Sequence, residues 1–273
     1  MTQFVKSADG VTLAVVEWGN PEGPELVLIH GAGQSHLCFA KQRDSHLARD
    51  FRLVAFDLRG HGGSDKPSAA SSYQNGRVWA DDVAAVLEAK RLKRPVLVGW
   101  SLGARVVRQY LMHHGDARLS GIVMVAARPI EDPNTAGSRP YFLASDRTQD
   151  LGARIDAAID FLRACFERQP DAREFEIALG YNMLVPHEIR KMIMDWKVEP
   201  ADATRVLGSV KVPALVIHGE ADRVILPAAA RMTADAIPGA TLSMFPGCGH
   251  SPFSEDSARF NSELSAFVSA CSQ

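Results

Sequence analysis

The chain has 273 residues, a length that fits either one large domain or two small ones. Hydrophobic residues make up 46% of it and charged residues 23%, which is typical of globular proteins and excludes a fibrous or disordered chain. The 30 basic and 32 acidic residues leave a net charge of −2, so we expect no nucleic-acid partner. The sequence contains neither an apolar run of about 18 residues nor a secretory signal pattern, so we expect neither a membrane span nor export.

The four cysteines lie far apart, at Cys38, Cys165, Cys248 and Cys271, and none belongs to a C-x-x-C pair. This spacing predicts reduced thiols in a cytoplasmic protein rather than a disulfide framework or a zinc site. We therefore expect no metal ion, and Cys248 is predicted to be a small buried residue.

Short, nearly continuous apolar runs alternate with helical patterns along most of the chain. Strands that are buried on both faces have this composition, and they occur in mostly parallel sheets covered by helices. The helical patterns are clearest over Arg77–Lys90 and Leu102–His113. The alternation predicts βαβ units and an α/β fold with helices on both faces of the sheet. The predicted strands are Leu26–Ile29, Leu53–Phe56, Val96–Val98, Ile122–Ala126, Ala214–Ile217 and Leu242–Phe245.

The alternation stops over residues 128–205, where no strand pattern occurs and three helical stripes fit instead. We interpret this segment as a helical cap inserted into an α/β core formed by residues 1–127 and 206–273. Its 25 charged residues predict solvated outer faces, which disfavours a lid that lies on a membrane. The stripes are Ile155/Ala158/Ile159/Leu162/Phe166, Phe175/Ala178/Leu179 and Ile189/Met192/Ile193/Trp196. We expect most aromatic residues of this segment to pack on the core and one or two of them to line a pocket. They are Tyr141, Phe142, Phe161, Phe166, Phe175, Tyr181 and Trp196.

The most specific pattern is Gly99-Trp100-Ser101-Leu102-Gly103, which follows an apolar run and begins a helical stretch. A G-x-S-x-G pattern between a strand and a helix is typical of a nucleophile elbow, a sharp turn that exposes the serine. Side chains two residues before and after the serine would collide in such a turn, so both positions need glycine. The start of the helix also favours a developing negative charge. Ser101 is therefore the candidate nucleophile.

A serine hydroxyl needs a base to become a nucleophile at neutral pH, and the base needs an acid to orient it. Among the nine histidines, His250 follows the last predicted strand in a loop of glycines and a proline, which favours it as the base. His30 and His218 end predicted strands and are disfavoured. The acid candidate is Asp222, a few residues beyond a buried strand, and Asp132 is its rival.

These motifs resemble the α/β-hydrolase fold family, in particular its group of serine esterases, lactonases and cofactor-free haloperoxidases. The resemblance covers most of the chain outside the cap and includes the order serine, aspartate, histidine. It implies a mostly parallel sheet of the eight-stranded type with helices on both faces. A serine at position 101 excludes the branch of the family that uses an aspartate nucleophile. The segments that carry the resemblance are His30–Gly33, Asp57–Asp65, Gly99–Gly103, His218–Asp222 and Gly249–His250.

The resemblance also implies an oxyanion hole made by the backbone N–H groups of Ala32 and Leu102. Related haloperoxidases and aryl esterases often carry an aromatic residue at the position of Ala32, with a proline after it. The smaller side chain here leaves more room beside an acyl group, and Gln34 and Trp100 are candidate pocket residues. The segment Asp57–Gly60 is predicted to be a structural turn, braced by a pair between its aspartate and its arginine.

Together the residues and the resemblance imply hydrolysis of a small-molecule carboxylic ester or lactone through an acyl-enzyme intermediate, without a cofactor. Three alternatives stay open: a cofactor-free haloperoxidase or perhydrolase, a hydrolase of carbon–carbon bonds, and a non-catalytic ligand-binding protein of the same fold. We expect a small-molecule substrate, no nucleic-acid or membrane partner, and a monomer or homodimer.

Overall fold

The computed structural model of the chain describes residues 1–128, 135–137, 150–197 and 200–272. The strands are β1 (Gln3–Lys6), β2 (Thr12–Gly19), β3 (Glu25–Ile29), β4 (Arg52–Phe56), β5 (Val96–Trp100), β6 (Gly121–Val125), β7 (Ala214–Gly219) and β8 (Thr241–Phe245). They form one eight-stranded sheet in the order β1-β2-β4-β3-β5-β6-β7-β8. β2 runs antiparallel to both β1 and β4, and the other neighbouring strands are parallel.

Helices cover both faces of this sheet, because successive side chains of a buried strand point to opposite faces. Val27 and Ile29 of β3 pack in the apolar cluster of α3 and α4, whereas Leu26 and Leu28 pack in the cluster of α11. The helices are α1 (Ala40–Arg43), α2 (Leu47–Asp50), α3 (Gly76–Ala89), α4 (Leu102–His114), α5 (Leu151–Ala164), α6 (Ala172–Met183), α7 (His187–Asp195), α8 (Pro200–Gly208), α9 (Ala228–Ala236), α10 (Pro252–Glu255) and α11 (Ser257–Cys271). Short 3-10 turns cover His36–Phe39 and Ala70–Ser72.

The six predicted strands are confirmed, each within three residues at either end, as β3 to β8. The first two strands were not predicted from the sequence. β1 buries Val5 alone among its four residues, so it has no continuous apolar run. β2 is antiparallel to its neighbours, and its last three residues, Glu17, Trp18 and Gly19, are half-exposed or exposed, which departs from the pattern of a parallel, doubly buried strand.

The three predicted helical stripes of residues 128–205 are confirmed as α5, α6 and α7, which lie between β6 and β7 in the chain. A further helix, α8, spans the predicted boundary at 205/206, and its Val206 and Leu207 are buried in the core cluster with α4. Several large apolar side chains of the segment, including Leu151 and Leu184, are exposed. Tyr141, Phe142 and Asp132 lie outside the described residues. Among the described residues, no helix has both the length and the apolar composition needed to cross a bilayer.

Candidate active site

Ser101 occupies a strained turn between β5 and α4. Its φ of 54° and ψ of −111° lie in a region that residues with a side chain rarely adopt. A Cβ on Gly99 would lie 2.6 Å from the carbonyl carbon of Gly103, and one on Gly103 would lie 2.1 Å from the carbonyl oxygen of Ile29. Both glycines are therefore required by close backbone approaches. The turn has the geometry of a nucleophile elbow.

Asp222 and His250 form a buried pair at the ends of two neighbouring strands. His250 Nδ1 lies 2.7 Å from Asp222 Oδ2, and both side chains are at most 2% exposed. The other carboxylate oxygen of Asp222 accepts the backbone N–H groups of Val224 and Ile225 at 2.8 and 3.0 Å. Because a carboxylate can only accept, Nδ1 carries the proton of the histidine and Nε2 presents its lone pair.

The electrostatic surroundings keep Asp222 ionised. Burial by itself raises the pKa of this carboxyl, but the contacts with His250 and His218 outweigh burial and hold the pKa well below its usual value. His218 Nε2 lies 3.0 Å from Asp222 Oδ2 and 2.9 Å from the carbonyl oxygen of Ile225. The sequence argument passed over His218 because it ends a strand. Its place four residues before the acid, at the sheet edge where Asp222 turns back, is the signal that was missed.

Backbone hydrogen bonds join the loop of Asp222 to the loop of His250. The N–H of Glu220 donates to Phe245 O at 3.0 Å, and the N–H of Ala221 donates to Cys248 O at 2.9 Å. Cys248 is fully buried, and burial raises the pKa of its thiol to about 11, so it is not a thiolate nucleophile at neutral pH.

Trp100 links the elbow to the loop of His250. Its indole N–H donates to the carbonyl oxygen of His250 at 2.8 Å, and the centroids of the two rings are 5.7 Å apart. The indole also packs edge to face against Phe253, at 4.7 Å between ring centroids. At 3% exposure, Trp100 is a packing residue between Ser101 and His250. A contact between Trp100 and a substrate stays a prediction.

Two neutral histidines shape the loop that follows β3. His30 Nε2 accepts the N–H of Leu58 at 3.0 Å, so its Nδ1–H donates to Gly31 O at 2.7 Å. His61 Nε2 accepts the N–H of Gly33 at 3.1 Å. Burial lowers the pKa of His30 to about 4 and that of His61 to about 3, so both rings are uncharged at neutral pH.

This loop presents the amide of Ala32 near Ser101. A Cβ on Gly31 would lie 3.3 Å from Ser101 Cβ, which places the loop directly against the elbow. The amides of Gly33 and Gln34 are hydrogen-bonded. In contrast, neither Ala32 N–H nor Leu102 N–H donates a hydrogen bond to any described residue, and Leu102 is the first residue of α4. Two unpaired amides therefore flank the serine, which is the arrangement that an oxyanion hole needs.

Gln34 lies two residues beyond Ala32 and is 3% exposed. Its side-chain Nε2 is buried and has no hydrogen-bond partner among the described residues. A buried amide N–H without a partner is costly, and a ligand that accepts from it would remove this cost. Gln34 remains a candidate pocket residue.

The predicted pair between Asp57 and Arg59 is wrong. Asp57 instead accepts from the backbone N–H and Nδ1 of His36, at 2.7 and 2.8 Å. Arg59 is fully buried and pairs with Asp82 at 2.6 Å and with Asp9 at 2.8 Å. The turn is a structural brace, but each of its two charged residues joins a different part of the chain.

The chain matches the family model described as alpha/beta hydrolase fold over residues 24–257. A crystal structure from Burkholderia cenocepacia, described provisionally as an aryl esterase, has a TM-score of 0.94 and 37% identity over 99% of each chain. The esterase RhEst1 from Rhodococcus sp. ECU1013 has a TM-score of 0.91 and 33% identity, again over 99% of both chains. A non-heme chloroperoxidase from Streptomyces lividans is 29% identical over 97% of this chain and 98% of that protein. These likenesses support a hydrolase, and the chain belongs to the alpha/beta hydrolase family.

Proposed function

We propose that the protein is a serine hydrolase that cleaves a small-molecule carboxylic ester or lactone through an acyl-enzyme intermediate. The observation that carries the proposal is the buried hydrogen bond of 2.7 Å between Asp222 and His250, next to the strained turn of Ser101. A histidine that donates Nδ1–H to a carboxylate can take the serine proton on Nε2. The esterase likenesses support the same reaction class.

The proposed reaction has two halves with the same proton path. Ser101 Oγ attacks the acyl carbon while its proton moves to His250 Nε2, and the carbonyl oxygen becomes an oxyanion held by the N–H groups of Ala32 and Leu102. Loss of one such donor typically costs about 10²–10³ in rate. The carbon–oxygen bond to the leaving group then breaks, and His250 protonates the departing alkoxide. Water, deprotonated by His250, attacks the acyl-enzyme and releases the acid and Ser101.

The substrate pocket is expected to take a neutral molecule with a hydrogen-bond acceptor near its acyl carbon. Gln34 Nε2 is a buried donor on the same loop as Ala32, and it supports this expectation. The methyl side chain of Ala32 leaves room beside the acyl group. Unpaired thiols at all four cysteines fit an enzyme of the cytoplasm.

A second candidate function keeps the site and changes the nucleophile of the second half-reaction. Hydrogen peroxide in place of water would convert the acyl-enzyme to a peracid, and the peracid would oxidise halide. The likeness to a non-heme chloroperoxidase over nearly the whole chain supports this alternative.

The test of the proposal is turnover of p-nitrophenyl esters of rising acyl length, together with labelling by a fluorophosphonate. The wild type is expected to turn over and to label, whereas Ser101→Ala should lose both and His250→Ala should lose turnover. Ser269→Ala, an exposed serine on α11, is the matched control and should behave as wild type. Equal labelling of wild type and Ser101→Ala would refute the nucleophile.

A paired assay ranks the two candidate functions. The same enzyme is given acetate, hydrogen peroxide and bromide, and bromination of a reporter dye is compared with ester hydrolysis. Hydrolysis without bromination supports the esterase, whereas Ser101-dependent bromination that exceeds hydrolysis would favour the perhydrolase. Labelling of Ser101 without activity on any ester would count against both functions and point to the carbon–carbon hydrolase.

A further inference from the structure

Glu255 binds four backbone N–H groups with one carboxylate. It ends α10, five residues after His250. Oε1 accepts from Gly249 at 2.9 Å and from Ser251 at 3.2 Å. Oε2 accepts from Glu167 at 2.8 Å and from Arg168 at 2.9 Å. An ionised carboxylate offers about four lone-pair sites, so this side chain uses its full capacity as an acceptor.

The two pairs of N–H groups belong to different parts of the fold. Gly249 and Ser251 are the residues on either side of His250. Glu167 and Arg168 follow α5, in the segment predicted to be the cap. The two segments are in close contact, because a Cβ on Gly249 would lie 2.8 Å from the backbone nitrogen of Glu167. Glu255 therefore lies between the loop of the candidate base and the segment after α5.

Three side chains fix His250, one through its ring and two through its backbone. Asp222 holds Nδ1 of the ring, and Trp100 holds the carbonyl oxygen. Glu255 holds the N–H of Ser251, which belongs to the peptide group after His250, and the N–H of Gly249, which lies one peptide group before the residue. None of these contacts uses Nε2, the atom that has to reach Ser101.

We infer that Glu255 is a positioning residue that places His250 for proton transfer and makes this placement depend on docking of the segment after α5. The inference rests on the proposed roles of Ser101 and His250. Loss of the carboxylate frees the peptide groups around His250 to rotate, and a shift of Nε2 by about 1 Å is enough to cost on the order of 100-fold in rate.

Glu255→Gln is the sharpest variant, because it keeps the shape of the side chain. Its single oxygen can accept from one segment, and its NH₂ group then faces the N–H donors of the other. We expect kcat for p-nitrophenyl esters to fall about 10-fold or more with KM within about 2-fold, and the rate of fluorophosphonate labelling to fall in parallel. Glu255→Ala should lose more than Glu255→Gln.

Two controls separate positioning from general effects. Glu263→Gln removes the same charge from α11, where Glu263 pairs with Arg259. Arg223→Gln removes an exposed ion pair of 2.6 Å between the loop after β7 and Glu167, and it leaves in place the hydrogen bonds that dock this segment on Glu255. Both variants are expected to keep kcat within about 2-fold, because exposed ion pairs contribute little to stability.

The outcomes are distinct. A wild type without labelling or turnover would refute the proposed function, and the inference would then be judged by proton NMR of the hydrogen bond between His250 Nδ1 and Asp222. The downfield resonance of the proton on His250 Nδ1 is expected to broaden or shift in Glu255→Gln and to stay unchanged in Glu263→Gln. A Glu255→Gln variant with a lower melting temperature but wild-type kcat and NMR signal would overturn the inference. An equal loss of kcat in Arg223→Gln would overturn it as well.

Discussion

Lowering the pH from about 7 to about 5 is expected to destabilise the protein through His30 and His61. Both rings are fully buried, and both accept a backbone N–H on Nε2 and donate from Nδ1 to a carbonyl oxygen. A proton on Nε2 would remove an acceptor and bury a charge. Burial accordingly lowers their pKa values to about 4 and about 3, against 6.5 for an unperturbed histidine.

The sign and size of the effect follow from these values. Between about pH 6.5 and pH 4 the unfolded chain binds protons that the folded protein does not, so the free energy of unfolding falls as the pH falls. Each histidine then contributes a loss of about 2 kcal/mol between about pH 7 and pH 5, or about 4 kcal/mol together. Carboxyl groups with lowered pKa values, such as Asp57 and Asp222, lose their contribution only at lower pH, because the pKa of an unperturbed aspartate is 3.8.

Urea unfolding at the two pH values, followed by circular dichroism, measures this loss. His61→Gln is the informative variant, because a glutamine oxygen can accept the N–H of Gly33 as Nε2 does but does not titrate. Its free energy of unfolding should change by about 2 kcal/mol over the same pH interval, half the change of the wild type. A wild type with equal stability at both pH values would refute the reasoning, and so would a His61→Gln variant that keeps the full pH dependence.

Two further substitutions and one control test the residues that position Ser101 and His250. Gly103→Ala puts a methyl group 2.1 Å from a backbone oxygen, so we expect about 1–3 kcal/mol of destabilisation and loss of Ser101 labelling. As a control, Gly180→Ala at an exposed position of α6 meets nothing within 4 Å and should instead stabilise the protein by about 1 kcal/mol in urea unfolding. Trp100→Phe removes the 2.8 Å hydrogen bond to His250 O, worth about 1 kcal/mol, so kcat should fall about 5-fold in steady-state assays at unchanged secondary structure. Unchanged stability of Gly103→Ala, or unchanged kcat of Trp100→Phe, would contradict these expectations.

Parts of the fold could be predicted because strands that are buried on both faces consist almost entirely of apolar residues. β5 and β7 are buried at every residue, and their apolar runs identified them. The glycines of the elbow were predictable for the same kind of reason, since the close approaches at Gly99 and Gly103 admit no other residue. β1 was missed because an edge strand with one buried side chain has no run of apolar residues.

Partners that come from distant parts of the chain could not be predicted. Arg59 pairs with Asp9 and Asp82, which lie 50 and 23 residues away, and no local pattern selects them over the nearby Asp57. Glu255 was missed for a related reason. Two of its four donors belong to the segment after α5, and backbone N–H groups have no side-chain identity that a sequence could reveal.

The segment between β6 and β7 contacts the loops of Ala32, Asp222 and His250 and the helix α4 that follows Ser101, which bears on how that segment acts. A Cβ on Gly33 would lie 2.6 Å from Asn182 Nδ2, so α6 packs on the loop of Ala32. Arg105 of α4 donates to the carbonyl oxygen of Trp196 and lies 3.9 Å above its ring. Glu167 of the segment pairs with Arg223 on the loop of Asp222. Its backbone N–H donates to Glu255, which also binds the loop of His250. Since the candidate base and the loop of Ala32 lie against this segment, substitutions that displace it should change the rate of the chemical step as well as the choice of substrate, whereas loss of one exposed ion pair should not.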